Sequence, residues 1–149
     1  MSLQDQIMTS MKEAMKAKDR TALTALRAVK SAILMAKTES GAASELTEEQ
    51  ELKLLQKQVK QRKDSAVIFL EQGREDLAAP ELAEAEIIAQ FLPEAMSEEN
   101  IEKIVIQVIE STGANGMKDM GRVMGVVSKQ LAGQADGKTI STIVKSKLM

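Results

Sequence analysis

The chain has 149 residues, with 20 lysines and arginines against 22 aspartates and glutamates, and it lacks histidine, cysteine, tryptophan and tyrosine. This composition excludes zinc sites built on cysteine or histidine, thiol nucleophiles and imidazole catalysis. The sequence has neither the roughly 20 uninterrupted apolar residues of a membrane span nor a basic-then-apolar leader, so we expect a cytoplasmic protein with no membrane partner.

Apolar residues recur every three or four positions along nearly the whole chain, which predicts an all-α fold of seven helices. A core without aromatics also suits helices better than strands. The predicted helices cover residues 3–16, 19–37, 47–72, 76–92, 98–111, 118–131 and those from 136 onwards. Sequence signals for their first turns are the pairs Ser2 with Asp5 and Thr47 with Gln50, and the single residues Asp19, Ser97 and Asp136.

Pro80 constrains the fourth helix, because a proline in a helix interior costs about 3 kcal/mol. We therefore predict that this helix begins between residues 76 and 80, with Pro80 in its first turn, and ends at Leu92. The short segment after it divides the chain into an N-terminal antiparallel helical domain, residues 1–93, and a small three-helix domain, residues 94–149.

Charge is unevenly divided within the predicted C-terminal domain. Residues 94–116 contain one basic and five acidic side chains, whereas residues 117–149 contain six basic and two acidic ones. A surplus of four positive charges favours binding to backbone phosphates, although lysines that merely solubilise helix surfaces give the same pattern.

Two helices contain residues that their pattern does not require. Arg62 interrupts a coiled-coil-like seam on the third helix, where it is either part of a phosphate-contacting turn or a seam residue that pairs with a carboxylate of a neighbouring helix. Gly121 and Gly125 each cost the sixth helix about 0.5–1 kcal/mol relative to alanine, so they indicate close helix packing or the approach of a ligand backbone. The secondary basic cluster on the third helix is Lys57, Lys60, Arg62 and Lys63.

Several stretches of the sequence resemble the YqeY family of small bacterial proteins. They are LRAVKSAI (26–33), KQRKDS (60–65), GREDL (73–77), AQFLPEAMSEENI (89–101) and DMGRVMGVVSKQLAGQADGKTIS (119–141). The resemblance implies two helical domains, of which the second is similar to the tail of GatB, the B subunit of glutamine-dependent aminoacyl-tRNA amidotransferases. Two positions depart from the family pattern: Gln134 stands where a basic residue is usual, and Pro80 interrupts a helical segment.

In amidotransferases the GatB tail engages tRNA, and this carries over to candidate RNA-binding residues here. They are Lys118, Gly121, Arg122, Gly125, Lys129, Gly133 and Lys138, together with Lys145 from the same basic segment. The expected function is that of an accessory protein that binds tRNA or another structured RNA mainly through backbone phosphates.

Two other functions are open. One is a protein-interaction module for amidotransferase or aminoacyl-tRNA synthetase subunits without an RNA role. The less favoured one is a carbon–nitrogen ligase with glutamine as amido donor, an activity associated with the family through the shared domain. The sequence brings together no nucleophile, base and orienting acid, so we predict no catalytic residue, metal or cofactor in the isolated chain.

Overall fold

The computed structural model describes residues 2–39 and 45–149, and part of the predicted loop at 38–46 lies outside them. Seven α-helices and no strand occur in these residues, which confirms the all-α prediction. A 3₁₀ turn, Met117–Asp119, precedes the sixth helix. The helices are α1 (Leu3–Ala17), α2 (Arg20–Glu39), α3 (Glu48–Glu71), α4 (Glu75–Ala89), α5 (Glu98–Thr112), α6 (Met120–Gln130) and α7 (Gly137–Leu148).

The predicted helix caps are confirmed by hydrogen bonds. At the start of α3, the Gln50 amide donates to Thr47 Oγ1 at 3.2 Å and the Thr47 amide donates to Gln50 Oε1 at 2.9 Å, which completes a capping box. Ser2 and Asp5 form the equivalent box on α1. Such caps satisfy backbone donors that have no partner within the helix, and each contributes about 1 kcal/mol.

Pro80 lies deeper in its helix than predicted. Because α4 begins at Glu75, Pro80 is its sixth residue and falls in the second turn, and the helix ends at Ala89 instead of Leu92. A proline there removes the donor that the Asp76 carbonyl would otherwise use, but Asp76 is exposed and water replaces the lost bond. The prediction of a first-turn proline was therefore wrong, because solvent exposure reduces the cost on which it rested.

The chain forms two compact units, Met1–Leu92 and Pro93–Met149. In the first unit the core joins α1 and α2 to the first half of α3 and the second half of α4. Its buried side chains include Ile7, Leu26, Val29, Leu55 and Ile88. No helix in the described residues is both long enough and apolar enough to cross a membrane.

The second unit has its own aliphatic core, to which α5, α6 and α7 each give one stripe. Burying a valine, leucine or isoleucine side chain contributes about 1.5–3 kcal/mol, so a few such residues hold a short three-helix unit together. Each stripe turns the opposite side of its helix to solvent. The core residues are Ile101, Val105, Val108, Val123, Val127, Leu131, Ile140, Val144 and Leu148.

That the two units are separately folding domains stays a prediction. Because the second unit buries a complete set of stripes, we expect residues 93–149 expressed alone to unfold cooperatively in urea, monitored by far-ultraviolet circular dichroism. Their amide NMR spectrum is expected to overlay that of the same residues in the full chain. A broad, non-cooperative transition of the fragment would contradict this.

Candidate nucleic-acid interface

The solvent face of α6 brings four of the predicted RNA-binding residues together. Gly121, Gly125 and Lys129 follow one another at intervals of four, and Arg122 is adjacent to the first, so all four lie on one side of the helix. Val123 and Val127 occupy the other side and are fully buried. We call the exposed set Gly121, Arg122, Gly125 and Lys129 the α6 stripe.

The two glycines of the α6 stripe lie in open space. A Cβ atom built on either one meets no atom within 4 Å, so no helix of the described chain packs closely there. Neither glycine has a positive φ angle, and the backbone therefore does not require glycine. Of the two explanations that the sequence left open, close packing within the chain is excluded for the described residues.

Asp119 connects the basic side chain of the α6 stripe to the preceding loop. Its Oδ2 accepts a hydrogen bond from the Asn115 amide at 2.8 Å, and its Oδ1 lies 3.5 Å from Arg122 Nη2. Half of the Arg122 side chain is exposed, and an exposed ion pair of this length contributes at most about 1 kcal/mol. Arg122 is therefore oriented by Asp119 but can still reach an anion in solvent.

Sequence reasoning missed both Asp119 and two apolar side chains beside the α6 stripe. Met117 and Val126 remain 43% and 42% exposed, although their residue types suggested core positions. Lys118, in the 3₁₀ turn between Met117 and Asp119, is exposed as well. The available signal for Asp119 was its place shortly after Asn115-Gly116, where a carboxylate often accepts from the backbone of a turn.

A second basic stripe lies on α7. Lys138 and Lys145 are seven residues apart, hence on one side of the helix, and both are exposed. We call this pair the α7 stripe. Lys138 lines a shallow groove of about 200 Å³ with Glu98 of α5. Since α6 and α7 both turn their buried stripes to the shared core, the predicted residues form two outward stripes on different helices.

Two further observations reduce the charge available on α7. The Asp136 side chain caps the helix by accepting from the Thr139 amide at 2.6 Å, as predicted, so it occupies a donor that an anion would need. Lys147, counted in the basic surplus, lies 2.6 Å from Glu102 of α5. The more open of the two stripes is therefore that on α6.

Gly133 has a structural role in place of a surface one. It is buried, and its φ angle of 80° is in the left-handed region that favours glycine. The next residue, Gln134, accepts a hydrogen bond from the Met96 amide on its carbonyl oxygen at 2.9 Å. Gly133 thus shapes the turn before α7 and offers no exposed surface to a ligand.

The secondary basic cluster on α3 separates into exposed and half-buried members. Lys57, Lys60 and Lys63 are exposed, whereas Arg62 is half-buried and its Nη1 donates to Gln58 Oε1 at 2.8 Å. Burial raises the pKa of Glu84 on α4, and the Arg62 guanidinium opposes that rise. Arg62 accordingly resembles the seam residue near a carboxylate more than a member of an exposed turn.

No group of three or more acidic side chains within residues 2–39 and 45–149 is placed to hold a metal ion. Fold and surface instead define a small all-helical protein whose C-terminal unit has an aliphatic core and an open basic helix face. A family model described as a Yqey-like protein matches residues 4–148, and the chain belongs to the YqeY family.

Three proteins with established names are similar to this chain. A glutamyl-tRNA(Gln) amidotransferase subunit from Thermococcus gammatolerans is 38% identical over 73 residues, which is 46% of this chain and 12% of the archaeal protein. Two fungal proteins named altered inheritance of mitochondria protein 41, mitochondrial, match more fully. That of Clavispora lusitaniae is 35% identical over 88% of this chain and 77% of its own length, and that of Pyrenophora tritici-repentis is 30% identical over 87% and 71%.

The hydrogen bond between Asp119 and the loop leads to a stability prediction. Asp119→Ala removes the acceptor of the Asn115 amide and the partner of Arg122, and we expect the free energy of unfolding to fall by about 1 kcal/mol. Asp119→Asn keeps a side-chain oxygen and is expected to lose less. Urea denaturation of both variants, with the exposed Asp64→Ala as control, makes the measurement; equal losses for Asp119→Ala and Asp64→Ala would contradict it.

Proposed function

We propose that this protein binds structured RNA, with tRNA as the first candidate, through the α6 stripe and Lys118. The observation that carries the proposal is the pair of exposed glycines between Arg122 and Lys129 with open space above both. A missing side chain lets a phosphodiester backbone approach the helix, while the flanking cations neutralise its phosphates. The two glycines cost helix stability and serve no packing contact in the described chain, and backbone approach gives them a role.

The mode of recognition follows from the residue types available. The chain contains two aromatic residues, Phe69 and Phe91, and both are half-buried in the first unit. Stacking on bases, on which sequence-specific RNA recognition often depends, therefore has no aromatic platform on the α6 stripe. We propose contact with backbone and shape, with the exposed Met117 and Val126 against ribose.

The relatives support an amidotransferase-related context. The archaeal relative's name contains both the tRNA and the amidotransferase, and this chain spans 12% of that protein. Because so little of the archaeal protein is shared, we propose an accessory role and assign no transfer chemistry to this chain. Its cytoplasmic location stays a prediction, since the names of the two fungal relatives contain the word mitochondrial.

A matched pair of lysine variants tests the RNA proposal. Lys129 on α6 and Lys103 on α5 are both exposed, and replacing either with glutamate changes the charge equally. We expect Lys129→Glu to weaken tRNA binding about tenfold, because one phosphate contact becomes a repulsion, and Lys103→Glu to change it by less than about twofold. Fluorescence anisotropy with labelled tRNA measures both.

The salt dependence of the same binding gives an independent reading. Contacts from Lys118, Arg122 and Lys129 to three phosphates predict a slope of about −2 to −3 for the logarithm of the binding constant against that of salt concentration. Equal weakening by both glutamate variants would indicate diffuse attraction without a site. Absence of tRNA binding at low salt would reject the RNA function.

Gly121→Ala and Gly125→Ala separate binding from stability. Each is expected to raise the free energy of unfolding by about 0.5–1 kcal/mol, since alanine is the better helix former and its Cβ meets no neighbour. The same variants are expected to weaken tRNA binding, because the methyl group occupies the space for the backbone. Gln130→Ala, exposed on the same helix but off the α6 stripe, is the control; unchanged binding by both glycine variants would contradict the proposed contact.

A further inference from the structure

The far half of the α3–α4 hairpin lies beyond the core of the first unit. The core residues of α3 end with Val59, and those of α4 begin with Ala85. Between these positions the buried apolar side chains are Ala66 and Ala78, both small. This part of the hairpin therefore rests on α3 and α4 packing against each other, without support from the aliphatic core.

Large apolar side chains are nevertheless exposed on this half of the hairpin. Val67 and Leu70 are 53% and 49% exposed, and Leu82 on the adjoining helix is 45% exposed. On α3, the positions Lys60, Lys63, Val67 and Leu70 are separated by three, four and three residues, which is the spacing of a coiled-coil seam. This second seam is distinct from the buried one that includes Val59 and Ala66.

Charge along this exposed seam changes sign from one end to the other. Lys60 and Lys63 precede Val67, and Glu71 and Glu75 follow it. All four charged residues are exposed, and none of them makes an ion pair within residues 2–39 and 45–149. Val67 is four residues from Lys63 and four from Glu71, so it lies midway between opposite charges. We call Lys60, Lys63, Val67, Leu70 and Glu71 the distal stripe.

We propose that the distal stripe is the interface of a homodimer, in which the α3 helices of two copies pack antiparallel about a two-fold axis at Val67. That axis places Lys63 of each copy opposite Glu71 of the other, because the two positions are equally far from Val67. The same surface then serves both partners, as a two-fold interface requires. Val67, Leu70 and Leu82 of both copies are covered from water.

The charge pattern selects this arrangement over the alternatives. A parallel pairing in register sets lysine against lysine and glutamate against glutamate, which is unfavourable. A different protein would need the reverse charge order and an apolar centre, and the chain itself already supplies such a surface. This inference rests on the α3–α4 hairpin and does not depend on RNA binding.

Substitution at the centre of the stripe tests whether the dimer exists. Sedimentation equilibrium of the full chain over a range of concentrations is expected to show a reversible monomer–dimer equilibrium. Val67→Lys is expected to leave only monomer, because it brings two lysines together at the axis. Ile68→Lys is the matched control: Ile68 is 52% exposed and adjacent in sequence, but on the other side of α3, and its substitution is expected to leave the equilibrium unchanged.

Charge reversal tests the two-fold geometry itself. Lys63→Glu and Glu71→Lys are each expected to raise the dimer dissociation constant about tenfold, because two ion pairs become two repulsions. The double variant restores opposite charges across the axis and is expected to dimerise like the original chain. Circular dichroism shows whether each variant is folded.

Three results would overturn the proposal. One is a chain that stays monomeric at every concentration, which would assign the exposed seam to a different protein. The second is a dimer that survives Val67→Lys, and the third is a double reversal that fails to restore the affinity lost in the single variants. The last two would each place the dimer interface elsewhere on the molecule.

Discussion

The structure depends on a constraint set by composition: both cores must be built from aliphatic side chains, because the chain has almost no aromatics. Aliphatic side chains bury less area each than aromatics do, so the helices of a small unit must give complete stripes to the core. In the C-terminal unit α6 does so through Val123, Val127 and the adjacent Leu131. Its opposite side is consequently free of any packing duty, and polar, basic and glycine residues can occupy it.

The sequence was informative where a signal is local. Helix number, the capping boxes and the buried seam of α3 follow from spacing of three and four residues, and the structure confirms them. Pro80 was misplaced because its cost depends on whether water can reach the orphaned carbonyl, which is a property of the folded surface. The open space above Gly121 and Gly125 was equally hidden, because a glycine pair in a helix has the same sequence in a tight contact and on a free face.

Charge counts proved a coarser guide than charge partners. The surplus of basic residues in the last third of the chain is correct as arithmetic, yet Lys147 has Glu102 beside it and Lys138 shares a groove with Glu98. Whether a lysine remains available depends on the neighbouring helix, and sequence separation gives no measure of that. Gly133 is the corresponding case for a glycine, since burial removes it from the surface on which the pattern had suggested it.

The two glycines of α6 have a consequence for how the C-terminal unit moves. An isolated helix of this length is marginal even with good helix formers, and two glycines lower its intrinsic stability further. α6 therefore holds its shape mainly because Val123 and Val127 are packed against the other two helices. The basic face is thus carried by the element whose order is most dependent on tertiary packing, so local opening of the unit and loss of that face are one event.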